Sequence, residues 1–354
     1  MQKLYLKNWQ SYFYFQVGRN RRDILIVSIL AIIAGLTSYL SAQLIDPYFF
    51  NKDAIDVWFQ SDLSRIFANM TNRGSNHYRT KVHPLFSLIA FPLVRLLIKI
   101  LNLEPIIAIR IIIAVVAALW ISALFVVLRL IGCRRLDAIL FSLLGAISAA
   151  AVFWFSVPET YSFGSLTILL TLGFVALTQH RQFSPLWYVV VSATTLSITV
   201  TNWMVGILAT IVNHSWKRTL TITIAALLLV LSLAFVQSYF FPSAQLPFFS
   251  KNAIQEEFYF LMRPESGGPL QVLKSFISHT MVMPAIAVTD YAGQVVYPQM
   301  LTQPSSPGSG SFWGAVAVGL WLALLSLGLW GLFSLDFLQK SGNREQGTGN
   351  RKKN

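Results

Sequence analysis

Apolar residues in this chain come in long unbroken runs, and the polar positions gather in the short gaps between them. Residues 24–45, 106–128, 136–155, 159–178, 185–200, 220–241 and 312–335, with a shorter run at 202–213, each read as an α-helix crossing a bilayer. Length is the reason: about 20 apolar residues rising 1.5 Å apiece cover the hydrocarbon core, and a helix satisfies its own backbone donors there. The pattern predicts an all-α, polytopic transmembrane helical bundle of about eight spans.

The basic gaps give an orientation. Arg19, Arg21 and Arg22 precede the first run. Arg129, Arg134 and Arg135, then Arg181, then Lys217 and Arg218, and finally Lys340, Arg344, Arg351, Lys352 and Lys353 fall on the same side in this count. Positive charge is retained on the cytoplasmic side, so the N and C termini are both expected in the cytoplasm. A cleaved signal peptide fits the first run poorly, because the run and its leader are both too long. Residues 84–101 are apolar enough to cross, but counting them would turn Arg129, Arg134 and Arg135 outward. They are expected to be embedded in or lie on the extracytoplasmic surface, with Arg95 and Lys99 reaching headgroups. The expected organisation is a cytoplasmic segment at 1–23 and a core at 24–241 carrying an external loop at 46–105. A second external segment at 242–311, a last membrane helix within 312–338 and a disordered cytoplasmic tail at 339–354 follow.

Composition agrees with this picture. Hydrophobic residues make up 55%, charged residues 12%, and the mean hydropathy is +0.59, too apolar for a soluble domain. A formal net charge of +13 points first to nucleic acid, but the basic residues lie in short clusters between apolar runs, so membrane lipids and not nucleic acid are the expected partners. Cys133 is the only cysteine, which excludes an intrachain disulfide and a thiolate metal cage. No P-loop, dinucleotide fingerprint or His-Glu-x-x-His helix is present.

The chemistry concentrates in the first external loop, which holds Asp53, Asp56, Asp62, Arg65, His77, Arg79, Lys81 and His83. If residues 53–70 are helical, Ile55, Phe59, Leu63, Ile66 and Met70 form one apolar stripe and the helix lies in the membrane plane. Asp62 and Arg65 then share a polar flank, with Asp56 about 120° away from Asp62. Asp62 and Arg65 also suit a plain surface ion pair at helical spacing. Ser156-Val157-Pro158-Glu159 fits a capping box at the start of a span. His83, before a proline, suits either a site or a backbone cap; Asn202 and Trp203 at a turn suit sugar binding, and Trp203 equally suits an interfacial anchor.

Three features carry a resemblance. The acidic residues follow the first span, Thr80-Lys81-Val82-His83-Pro84-Leu85 leads into an apolar segment, and Arg110 opens the next span; Val157-Pro158-Glu159-Thr160-Tyr161 adds an acidic turn. In this layout the chain resembles the GT-C superfamily of polytopic glycosyltransferases, which includes protein O-mannosyltransferases, oligosaccharyltransferases and aminoarabinose transferases. The resemblance covers roughly the first two-thirds of the chain and rests on layout. It implies a polyprenyl-phosphate sugar donor, an acceptor hydroxyl on a glycan, lipid or protein, and a reaction at the extracytoplasmic face of the plasma membrane. On the matching positions it implies Asp62 as general base, with Asp56 as the second candidate, and Arg110, His83 and Lys81 around the donor phosphate. Arg65, Glu159, Asn202 and Trp203 are expected in the substrate pocket. The family's paired acidic residues are absent and Leu85 replaces a second proline, which leaves the base and a divalent-metal cofactor open. A transporter or flippase would need charges deep within the spans, which are mostly Leu, Ile, Val and Ala. An inactive glycosyltransferase-like assembly partner is the third reading.

Overall fold

The computed structural model describes residues 21–45, 47–50 and 61–249, together with positions 270, 319, 322, 323, 326 and 330. The structure is 78% helical, with no strand among the described residues. The chain divides into two compact units, Met1–Glu265 and Ser266–Asn354, and the elements below belong to the first. In chain order its helices are α1 (Arg21–Gln43), α2 (Leu63–Thr71), α3 (Phe86–Leu101), α4 (Pro105–Leu130), α5 (Arg135–Ala146), α6 (Ala149–Trp154), α7 (Thr160–Thr178), α8 (Pro185–Ile198), α9 (Trp203–Ile211) and α10 (Trp216–Phe240). Short 3-10 turns lie at Pro47–Phe50, Tyr78–Lys81 and Val200–Asn202.

Four of these helices, α1, α4, α7 and α10, are long and apolar enough to cross a membrane. Helices α1 and α4 run antiparallel. At one end Asp23 binds Arg129 and Arg135; at the other the Arg110 Nη2 donates to the Ile45 carbonyl at 3.3 Å. Gly35 lies where the helices touch, since a Cβ there would stand 3.4 Å from the Ala114 carbonyl oxygen. Helix α7 runs parallel to α4, with Phe163 packed among Ile109, Ile112 and Ile113 near one end and Gly173 against Val127 near the other.

Three of the expected spans take a different form. The run 136–155 is interrupted at Ile147 and Ser148 into α5, of 12 residues, and α6, of 6. The Ser148 hydroxyl accepts from the Ala151 N–H at 3.2 Å, so a local cap competes with continuing the helix. The runs 185–200 and 202–213 are α8, of 14 residues, and α9, of 9, folded back on each other. At 1.5 Å per residue their arms reach about 21 and 14 Å, short of the ~30 Å hydrocarbon core. Gly206 permits the close contact: a Cβ there would lie 2.5 Å from Thr195 Oγ1 and 2.7 Å from Ser192 Cα. Tyr188 meets His214 at the open end, with ring centroids 4.4 Å apart.

The tip of this hairpin falls on the β-branched run Thr199-Val200-Thr201, whose side chains fit a helix poorly. Thr199 is extended, at φ −151° and ψ 133°. The main-chain groups released there are taken up by the first loop: Leu85 N–H donates to Ser197 O at 2.7 Å and Val200 N–H to Val82 O at 3.0 Å. Irregular backbone at membrane depth persists only with such partners.

The residues 84–101 form α3, 16 residues with Pro92 inside. Its start is held by Gln237 of α10, which is wholly buried, accepts from Leu88 N–H at 2.9 Å and donates to Pro84 O at 2.7 Å. The stripe expected over 53–70 is buried where it is described: Leu63, Ile66 and Met70 face inward from α2. Ile66 and Met70 pack with Phe86, Ala90 and Val94 of α3 and Ile109 and Ile113 of α4. The expected last span at 312–335 lies outside the described residues except at the isolated positions, and residues 51–60 lie outside them altogether.

Candidate functional site

The loop residues gather at the end of the bundle opposite Asp23. Asp62 stands immediately before α2 and pairs with Arg65 one turn on. The Arg65 Nη1 also donates to the Tyr78 hydroxyl at 2.8 Å, with its guanidinium 5.3 Å from the ring centroid. In the 3-10 turn Tyr78–Lys81, residues three apart eclipse, and this brings Lys81 Nζ to 5.5 Å from the same ring. Tyr78 thus serves as a platform for two cations, of which Lys81 is buried.

Glu159 joins this cluster to α7. It is 5% exposed; its Oε2 accepts from Thr160 N–H at 2.8 Å and its Oε1 from Asp62 N–H at 3.0 Å. The expected capping box with Ser156 does not form, because the Ser156 hydroxyl donates to the Val152 carbonyl and Glu159 itself occupies the N-cap. Burial pushes the Glu159 carboxyl upward, and the Asp62 charge adds to this. The two N–H donors and Arg65 act the other way.

His83 is half-buried, with Nδ1 3.0 Å from the Ile198 carbonyl oxygen and 3.2 Å from Thr199 Oγ1. A carbonyl only accepts, so Nδ1 carries the proton. Burial lowers the His83 pKa to about 4; the Ile198 carbonyl opposes this, while the charges of Arg79 and Arg65 reinforce it. At neutral pH the ring is uncharged, so the positive charge expected of it comes from Arg65, Arg79 and Lys81 instead. Nor does its side chain cap α3; it reaches across to the hairpin.

The other expected residues separate. Arg110 is anchored on the Ile45 carbonyl and lines a small cleft with Phe50, Phe67, Ser156 and Pro158. Asn202 lines a cavity of about 390 Å³ with Trp154, Tyr161, Gly164, Ser165 and Thr199. Trp203 turns away from it: its Nε1 donates to Ser192 Oγ at 3.0 Å and its ring packs in the core between α8 and α10. Gly164 lies four residues inside α7, about 6 Å below its start, and faces Asn202. The hairpin tip packs against α7 at this depth, and the cavity runs on along α4, α6 and α7 to Trp120, Ser148 and Ile168. Thr199 Oγ1, 3.2 Å from His83 Nδ1, connects its wall to His83, and Tyr161 lies two residues after Glu159 in the chain. Asp56 lies outside the described residues.

Gln237 and Tyr78 emerge only from the structure; Arg79 is one of the loop's expected charges, but the sequence assigns it no role. For Gln237 a signal existed, as the one Gln in the apolar run 220–241. His77, wholly buried, is held by Ser87 Oγ at 2.8 Å and Ser75 Oγ at 3.0 Å and locks the loop against Phe241. Among the described residues no three His, Cys, Asp or Glu side chains gather closely enough to hold a metal ion. Comparison of the chain with protein-family models, with curated proteins and with solved structures found no match.

Proposed function

We propose that this chain is an integral membrane glycosyltransferase of the GT-C type, moving a sugar from a polyprenyl-phosphate donor to an acceptor hydroxyl on a glycan, lipid or protein. The observation that carries the reading is the meeting of Asp62 with Arg65, Arg79, Lys81 and neutral His83 beside a cavity between helices. In the proposed reaction Asp62, oriented by Arg65, takes the acceptor proton as the acceptor oxygen bonds to the anomeric carbon. The electron pair of the breaking carbon–oxygen bond passes to the donor phosphate, where Arg65, Arg79 and Lys81 offset the charge. Arg suits bidentate phosphate contact, and Lys supplies a point charge.

In this reading the site end faces the extracytoplasmic side of the plasma membrane, since Arg129, Arg134 and Arg135 crowd the opposite end. In this reading the interrupted pair α5 and α6 and the run 312–335 cross with the four long helices, the short hairpin of α8 and α9 enters and returns in place of the remaining two of about eight expected spans, and both termini are cytoplasmic. The test is transfer from labelled polyprenyl-phosphate sugars in reconstituted membranes. Asp62→Asn is expected to lose about 10²-fold or more in rate, the usual contribution of a positioned base. Full activity in Asp62→Asn with loss in Asp56→Asn would move the base to Asp56; full activity in both would remove the carboxylate mechanism.

A further inference from the structure

We infer that the cavity beside the hairpin tip holds the sugar ring of the donor, that this sugar is uncharged, and that the Asn202 amide binds it. This rests on the reading of the loop end as a lipid-phosphate site and adds the class of sugar, which that reading leaves open.

The lining selects the occupant. The cavity measures about 390 Å³, within the roughly 300–1,000 Å³ usual for small-molecule sites. None of its lining residues is acidic or basic. Its polar side chains are an amide, a phenol and hydroxyls, and those of Asn202, Tyr161 and Thr201 have no hydrogen-bond partner among the described residues. Gly164 leaves room for the amide, since a Cβ there would lie 2.7 Å from Asn202 Nδ2. Much of the remaining wall is aromatic, with the Trp154 and Tyr161 rings 4.5 Å apart and tilted by 55°.

A prenyl chain in this space would cover the amide and hydroxyls without giving them a partner, which costs free energy. A pyranose suits both surfaces: its C–H face packs on aromatic rings, and its hydroxyls donate to and accept from an amide. An ammonium or carboxylate on the ring would lose water and meet no opposite charge in the lining, so a neutral sugar is favoured. Two lining residues tie the cavity to the loop end. Thr199 Oγ1 lies 3.2 Å from His83 Nδ1, and Tyr161 follows two residues after Glu159, whose Oε1 accepts from the Asp62 N–H at 3.0 Å.

The test is equilibrium binding to the full chain in lipid nanodiscs, with four probes built on one short polyprenyl phosphate. One is the methyl phosphodiester, which has no sugar; the others carry a neutral hexose, an amino sugar or a hexuronic acid. The hexose donor is expected to bind at least about 10-fold tighter than either charged donor, as an unpaired buried charge costs more than the 1.4 kcal/mol that a tenfold change represents. Asn202→Ala breaks no side-chain hydrogen bond of the protein's own. It should weaken the hexose donor about 3–10-fold, the effect of one hydrogen bond, and leave the methyl diester unchanged. Gly164→Ala, which displaces the amide without removing it, should act in the same direction. A charged donor that binds as tightly as the hexose donor would overturn the neutral-sugar assignment, and no effect of either variant would remove Asn202 from the site. Equal weakening of all four probes would give the cavity to the lipid chain or to the fold and overturn the inference. In each of these cases binding of the methyl diester keeps the phosphate reading in place; if none of the four probes binds, that reading fails as well.

Discussion

The two ends of the bundle use charge in opposite ways. At one end Asp23 sits between Arg129 and Arg135, side chain to side chain, clasping the starts of α1 and α5 to the finish of α4. At the other, beside the Asp62–Arg65 pair, three side chains reach main chain: Glu159 accepts two N–H groups, His83 holds the Ile198 carbonyl, and Gln237 serves both Pro84 and Leu88. An ion pair near the surface contributes about 1 kcal/mol or less and tolerates movement. A side chain bonded to an irregular backbone sets where that backbone sits. The first end is built to join helices, and the second to hold a loop in register with a hairpin tip.

The contrast is broken most severely by Glu159→Ala, which strands the Thr160 and Asp62 N–H groups. A loss of about 2–6 kcal/mol is expected in thermal denaturation in detergent, from about 1–3 kcal/mol for each unsatisfied donor. Glu159→Gln keeps acceptor capacity and should lose less. Equal losses in the two variants would show that volume, not hydrogen bonding, is what Glu159 supplies.

Acidification acts next. His83 titrates near pH 4 in the fold against 6.5 when unperturbed, so the unfolded chain takes the proton first and the folded state loses stability as pH falls from about 6.5 to about 4. The full effect is about 3 kcal/mol at 1.36 kcal/mol per unit. Buried His77 adds in the same direction, whereas the raised Glu159 carboxyl acts oppositely. His83→Gln should flatten the dependence in that window, and an unchanged slope would contradict the placement of the ring.

Gln237→Leu leaves Pro84 O and Leu88 N–H without their partner and should cost about 1–3 kcal/mol. Native-state hydrogen exchange should quicken at the start of α3 before the rest of α10. The smallest effect belongs to the other end: Asp23→Asn is expected to cost about 1 kcal/mol or less in the same denaturation measurement.

These comparisons also mark what a linear reading could reach. The four long helices were legible because run length alone decides them, and the stripe Leu63, Ile66 and Met70 because burial follows helical spacing. The two interruptions were not, since hydropathy is blind to a Ser148 cap or a β-branched tip inside an apolar run. Of the candidate site, Asp62, Arg65, Lys81 and His83 lie close together along the chain and come together in space. What organises them comes from afar: Glu159 bonds Asp62 across 97 residues and Gln237 bonds Pro84 across 153. The expected capping box put Glu159 near the start of a helix with Ser156 as its cap; in the fold Glu159 is the cap itself, and its second oxygen reaches the Asp62 N–H.

The most direct measurement places one substitution at each end in the same assay, single-turnover transfer of a labelled sugar from polyprenyl phosphate in proteoliposomes. Asp62→Asn should slow transfer by about 10²-fold or more. Asp23→Asn, equally a lost carboxylate but at the clasped end, should stay within about 2-fold of the parent rate, as a loss of only about 1 kcal/mol in stability leaves the fold intact. Equal rates for both variants, or slower transfer by Asp23→Asn, would contradict the assignment of the chemistry to the loop end.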